Sequence, residues 1–139
     1  MAEVLETVDI ECPVETVYAE WADVTRLPEI LDFVKEVTVT GPEETHWRVS
    51  IAGQEREYDA RTIEQVPAER IAWASLAGEV AHGGVVTFHR LSDTSSRLTL
   101  QMTWEPEGVM ETVGAAVGVD SASIAANLRT FKERMERVS

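Results

Sequence analysis

The stretch Arg97–Arg137, RLTLQMTWEPEGVMETVGAAVGVDSASIAANLRTFKERMER, changes its hydrophobic period partway along, and that change decides the fold. Leu98, Leu100, Met102 and Trp104 alternate with Thr99, Gln101 and Thr103, the two-residue period of a strand with one covered and one wet face. Past Pro106 and Gly108 the spacing becomes helical: Val113, Val117, Ile124, Leu128, Phe131 and Met135 mark one stripe from about Val109 to Arg137. A helix of that length would run roughly 40 Å, enough to cross a whole sheet. Its first half carries thin residues, Gly114, Ala115, Ala116 and Gly118; its second carries space-filling Leu128, Phe131 and Met135. Such a helix can plug one end of a curved sheet and leave a void at the other. The glycines can equally serve to bring the helix close to the sheet.

Upstream, the period of two recurs through short segments separated by turns. Val37 and Val39 alternate with Thr38 and Thr40 before Gly41-Pro42. Trp47, Val49 and Ile51 alternate with His46, Arg48 and Ser50, and Ala52-Gly53-Gln54 reads as a hairpin turn. Tyr58, Ala60 and Thr62 share one face, and Glu57, Asp59 and Arg61 the other. After the turn Val66-Pro67-Ala68-Glu69 come Ile71, Trp73 and Ser75, then Gly84, Val86 and Phe88, with Ser92–Ser96 as a polar loop. At the N-terminus, Glu3–Cys12 is strand-like. Pro13 suits a first helical turn, and Val14, Val17, Tyr18, Trp21 and Val24 form one helical stripe. A second short helix is expected from Leu27 to about Phe33. Short turns imply an antiparallel meander with one wet and one covered face. The expected fold is therefore α+β: a seven-stranded curved antiparallel sheet around a long C-terminal helix, with two short helices between the first two strands. Residues 1–139 read as a single domain.

Composition narrows the function classes. The net charge of −13, from 25 acidic and 12 basic side chains, repels phosphate backbones and anionic lipid, so nucleic-acid and membrane-surface roles are disfavoured. No apolar run reaches the ~20 residues of a bilayer span, so no stable membrane insertion is expected. The opening MAEVLETVDIE carries acids where a signal peptide would be basic and apolar, which makes a cytoplasmic location the expectation. The single Cys12 excludes an internal disulfide and a cysteine-based zinc site.

The order of these elements carries a resemblance. Val8-Asp9-Ile10 precedes Pro13-Val14-Glu15-Thr16-Val17-Tyr18 and Trp21-Ala22-Asp23, and Leu27-Pro28-Glu29 follows. Tyr58-Asp59-Ala60 and Glu64-Gln65-Val66-Pro67 lead to Arg70-Ile71-Ala72-Trp73, then Gly84-Val85-Val86-Thr87-Phe88, with Leu128-Arg129-Thr130-Phe131-Lys132-Glu133 at the end. Across essentially its whole length the chain resembles the START-like (SRPBCC) superfamily, in particular its polyketide cyclase/dehydrase and coenzyme Q-binding branch. The resemblance implies a helix-grip fold with a cavity between sheet and C-terminal helix. The superfamily hosts carriers, receptors and enzymes, so it says much less about activity.

The candidate chemistry is sparse. His46, His82 and His89 lack the pairing of a zinc site, and no nucleophile elbow, phosphate loop or dinucleotide fingerprint appears, so no metal or cofactor is expected. If the even positions of the last two strands face the helix, then His82, Val86, Phe88, Met102 and Trp104 point inward. Trp47, Val49, Tyr58, Ala60, Trp73 and Ser75 join them from the preceding strands. An apolar wall with a few placed polar groups is the makeup of a small-molecule site. The expected ligand-binding set is Trp47, Val49, Tyr58, Trp73, Ser75, His82, Val86, Phe88, Met102 and Trp104, roofed by Val113 and Val117.

His82, as acid or base, and Tyr58, as a donor to a carbonyl or enolate, are the catalytic candidates. A loop position for His82 and plain core packing for the aromatics stand as alternatives. Aromatic polyketide cyclases polarise carbonyls with arginine, tyrosine or water. Here Arg48, Arg61 and Arg97 all fall on the outward parity. Binding of a small apolar molecule (lipid, quinone or polyketide-like) is the leading expectation. A polyketide cyclase or dehydratase acting on a poly-ketone or aromatic precursor is the alternative, in a monomer or homodimer.

Overall fold

The computed structural model describes residues 2–51, 54–78, 81–105 and 121–138. Strand β1 (Ala2–Ile10) leads into helix α1 (Val14–Ala22), a 3₁₀ turn (Val24–Arg26) and the one-turn helix α2 (Leu27–Ile30). Six strands follow: β2 (Val34–Val39), β3 (Glu44–Ile51), β4 (Gln54–Val66), β5 (Arg70–Gly78), β6 (Ala81–Ser92) and β7 (Ser95–Glu105). Helix α3 spans Ser121–Val138. The expected helix from about Val109, its thin segment Gly114–Gly118, and Val113 and Val117 begin outside the described residues, as do Ala52 and Gly53 of the expected hairpin turn.

All strands join one antiparallel sheet in the order β1-β7-β6-β5-β4-β3-β2. The meander pairs each strand with its sequence neighbour, and only β1 crosses to β7. The two short helices sit in that crossover, as the sequence predicts. α2 ends at Ile30, earlier than expected, because Leu31 turns extended and the chain enters β2 at Val34. The expected polar loop Ser92–Ser96 shrinks to a turn at Asp93-Thr94, with Ser92 and Ser95 paired as register partners.

Alternation along β3, β6 and β7 is kept. Trp47, Val49, Val86, Phe88, Leu98, Leu100 and Met102 are buried against α1 and α3. Four register shifts curve the sheet, at Val34/Glu36, Asp59/Ala60, Thr62/Glu64 and Arg90/Ser92. Ile63 and Leu76, the extra residues at two of these shifts, and Val39 at the end of edge strand β2 are all more than half exposed. α3 presents Ile124, Leu128, Phe131 and Met135 to the core at helical spacing.

Two latches hold α3 to the strand-helix corners. Asn127 Oδ1 accepts the Asp32 backbone N–H (3.0 Å), while Asn127 Nδ2 donates to Asp32 Oδ2 (3.0 Å). Lys132 Nζ donates to the Asp9 carbonyl (2.9 Å), and Glu136 accepts both Lys132 (2.6 Å) and the Glu11 N–H (2.9 Å).

Candidate functional site

The inward face of β3–β6 carries a cluster of four rings. Trp47 is stacked with Tyr58 (centroids 5.6 Å, planes 21° apart) and with Trp73 (6.0 Å, 21°). The His82 ring meets all three, 6.1 Å from Trp47, 5.7 Å from Tyr58 and 6.0 Å from Trp73. The sequence brings them together because Trp47 and Tyr58 are direct register partners, and because Trp73 lies opposite a glycine in β6.

That glycine is needed. A Cβ on Gly84 would fall 2.5 Å from the Trp73 ring, and the ring is buried, so it has little room to yield. Gly84→Ala should therefore destabilise the protein by about 1–3 kcal/mol. Urea unfolding checks it, with Gly83→Ala as control, since a Cβ there meets Trp73 only at an ordinary 3.4 Å.

His82 lies in β6 rather than in a loop, and it is buried. Its Nδ1–H donates to the Thr103 carbonyl (3.1 Å), and its Nε2 accepts the Trp73 indole N–H (3.0 Å). Its backbone N–H donates to Ser75 Oγ (2.9 Å), which places Ser75 in the same network. Burial pushes the His82 pKa down to about 3, only partly opposed by the Thr103 bond. The imidazole is therefore neutral, with its proton on Nδ1 and its lone pair engaged by Trp73. A proton-transfer role would first have to break that indole bond.

Tyr58 differs. It is wholly buried, and its hydroxyl has no hydrogen-bond partner among the described residues. Burial raises its pKa well above the ordinary 10, so the group stays a phenol and can donate. Trp47, by contrast, is satisfied: its Nε1–H donates to Thr45 Oγ1 (2.8 Å).

Val49, Val86, Phe88 and Met102 are buried on this inward face, Phe88 edge-on to Tyr18 (5.4 Å, 74°). Trp104 stands in β7 as the register partner of His82, but its side chain lies outside the described set. Beside Trp47 and Trp73 is an apolar slot of about 20 Å³, closed by Trp21 of α1, Val24 and Leu27. Strand alternation missed Trp21. The signal was present, since Trp21 shares the buried stripe of α1 with Val14 and Val17.

A wider, open groove of about 1000 Å³ lies elsewhere, bordered by Thr7, Asp9, His89, Arg90, Arg97 and Lys132. Its cations already have partners: Arg97 grips Asp9 through two bonds (2.7 and 3.1 Å), and Arg90 pairs with Glu15 and Asp93. Arg48 and Arg61 also lie outward, ion-paired with acids, as their parity predicts. His46 is held on the same side between Glu57 and Asp59 (2.8 Å each), and these carboxylates raise its pKa. No group of His, Cys, Asp and Glu among the described residues is arranged to hold a metal ion. No helix among them is long and apolar enough to cross a membrane.

Comparison with known proteins agrees with this architecture. A protein of Streptomyces lincolnensis, described as an uncharacterized 17.2 kDa protein in the melC2-rnhH intergenic region, is 36% identical over 136 residues, covering 98% of this chain and 91% of that one. A solved structure from Deinococcus radiodurans superposes with a TM-score of 0.81 at 23% identity, covering 99% of this chain and all of that one. A START superfamily protein from Mycobacterium smegmatis superposes at 0.78 and 15% identity over the full length of both. These likenesses establish the helix-grip fold. Residues 10–133 match the family described as polyketide cyclase / dehydrase and lipid transport, and to that family the chain belongs.

Proposed function

We propose that the chain binds a small, mainly apolar organic molecule of the lipid, quinone or polyketide class against the ring wall of Trp47, Tyr58, Trp73 and His82. The observation that carries this reading is the Tyr58 hydroxyl, a buried donor without a partner in an otherwise apolar, aromatic surround. Stranding a buried polar group costs about 1–3 kcal/mol, and a ligand oxygen would relieve that cost. The family's description, which includes lipid transport, supports the same reading.

The slot of about 20 Å³ has room for little more than one water, so a ring-sized guest enters by displacing Val24 and Leu27.

A second reading, cyclisation or dehydration of a poly-ketone, is favoured by the same hydroxyl, which could donate to a carbonyl or enolate oxygen. Neutral, doubly engaged His82 makes a poor general base, and Arg48, Arg61 and Arg97 lie on the outward face, so binding is put first.

Titration with the uncharged fluorophore N-phenyl-1-naphthylamine should show saturable one-to-one binding, with energy transfer from tryptophan. Absence of saturable binding would remove the pocket. For the second reading, cyclised product should fall at least tenfold in Tyr58→Phe. Unchanged turnover in both Tyr58→Phe and His82→Ala would exclude these residues from any chemistry.

A further inference from the structure

Trp21 adds a second unpaired donor to the interior, from an element other than the ring wall. Its ring is buried edge-on to Phe131 (6.0 Å, 82°) and borders the slot together with Trp47 and Trp73. Its Nε1–H finds no acceptor among the described residues. An indole nitrogen can only donate, so only an acceptor satisfies it.

The remaining polar groups around the slot are Thr45 and Thr62. Thr45 Oγ1 is already engaged by the Trp47 N–H (2.8 Å) and faces the Ala60 carbonyl at 3.5 Å. No charged side chain borders the slot among the described residues, and the walls are otherwise aliphatic and aromatic. A carboxylate placed there would be desolvated with no cation beside it, and a plain hydrocarbon would leave the indole N–H stranded. The Trp47 and Trp73 rings, both bordering the slot, stack within 21° of parallel, a planar aromatic surround.

We infer that Trp21 is a specificity-determining residue whose Nε1–H takes a carbonyl-type oxygen, so that the ligand is a neutral, flat molecule carrying such an acceptor. This rests on the pocket proposed above and narrows its ligand class.

Two compounds of matched shape test it: 2-acetylnaphthalene and 2-isopropenylnaphthalene, in which CH₂ replaces the carbonyl oxygen. Calorimetry on the full chain should show the ketone binding about tenfold tighter. In Trp21→Phe that ratio should fall to near one, with the hydrocarbon still bound. A ¹H–¹⁵N spectrum of the wild type gives an independent reading that does not depend on the variant folding. The Trp21 indole resonance should move downfield with the ketone and stay in place with the hydrocarbon. Equal wild-type affinities, an unchanged ratio in Trp21→Phe, or an indole resonance indifferent to the ketone would overturn the inference while leaving the pocket. Failure of both compounds to bind the wild type would remove the pocket and the inference together.

Discussion

Trp73→Ala should cost about 3–5 kcal/mol of stability, the range for truncating a large buried aromatic. The ring stacks on Trp47, covers Gly84 and donates its indole N–H to His82, so its loss opens a cavity and strands the His82 Nε2 acceptor. Against a typical domain stability of about 5–15 kcal/mol, a loss of that size brings the protein near unfolding. For a chain of this length it corresponds to a fall in Tm of about 10 °C or more. Trp73→Phe keeps an aromatic ring while removing the donor and part of the ring volume. Its cost should be about 1–3 kcal/mol, from the unsatisfied buried acceptor and the smaller cavity together. Urea unfolding of the two variants checks both values, and equal losses would show that packing is not the larger contribution.

The second large effect is acid sensitivity centred on His82. In the fold its pKa is about 3, against about 6.5 unfolded, so below pH 6.5 the unfolded chain binds a proton that the native chain refuses. Stability from this group is fully present above pH 6.5 and is lost as pH falls from 6.5 towards 3. Between pH 6.5 and 4.5 the loss is about 2 kcal/mol, the slope rising to about 1.4 kcal/mol per pH unit once the unfolded imidazole is fully protonated. Carboxylates whose pKa values the fold lowers, Asp9 beside Arg97 and Glu136 beside Lys132, lose stability in the same direction but at lower pH. His46 acts in the opposite sense: its raised pKa supplies stability below its unfolded value, and that stability fades as pH rises. Comparing wild type with His82→Asn at both pH values isolates the one group. The variant's stability should change by about 2 kcal/mol less, and an identical pH dependence would contradict the buried neutral assignment.

Much of the fold could be read from period alone. The switch from two to 3.6 after Trp104 separates the sheet from the C-terminal helix, and the alternation of Leu98, Leu100 and Met102 predicts their burial. The parity argument also placed Trp47, Tyr58, Trp73 and His82 on one face, and the structure brings the other three rings within about 6 Å of His82. Parity grouped Val39 with Val37, and Val39 keeps that register but lies exposed at the end of edge strand β2. The bulges at Ile63 and Leu76, each an extra residue in its strand, leave no mark in composition.

The polar network was also beyond sequence. The bonds from His82 to Thr103 and from Asn127 to Asp32 join positions far apart in the chain, so they depend on register and helix docking rather than on local pattern. Trp21 was legible only as a member of a helical stripe. Nothing in its spacing announced an unpaired indole beside Trp47 and Trp73.

The central claim is that the interior holds a small apolar molecule. Native mass spectrometry of the protein purified from its own host tests it most directly. The account predicts a discrete mass above that of the 139-residue chain, released on denaturation as a neutral organic compound. A protein that consistently carries only its own mass, and that takes up neither N-phenyl-1-naphthylamine nor 2-acetylnaphthalene, would contradict it.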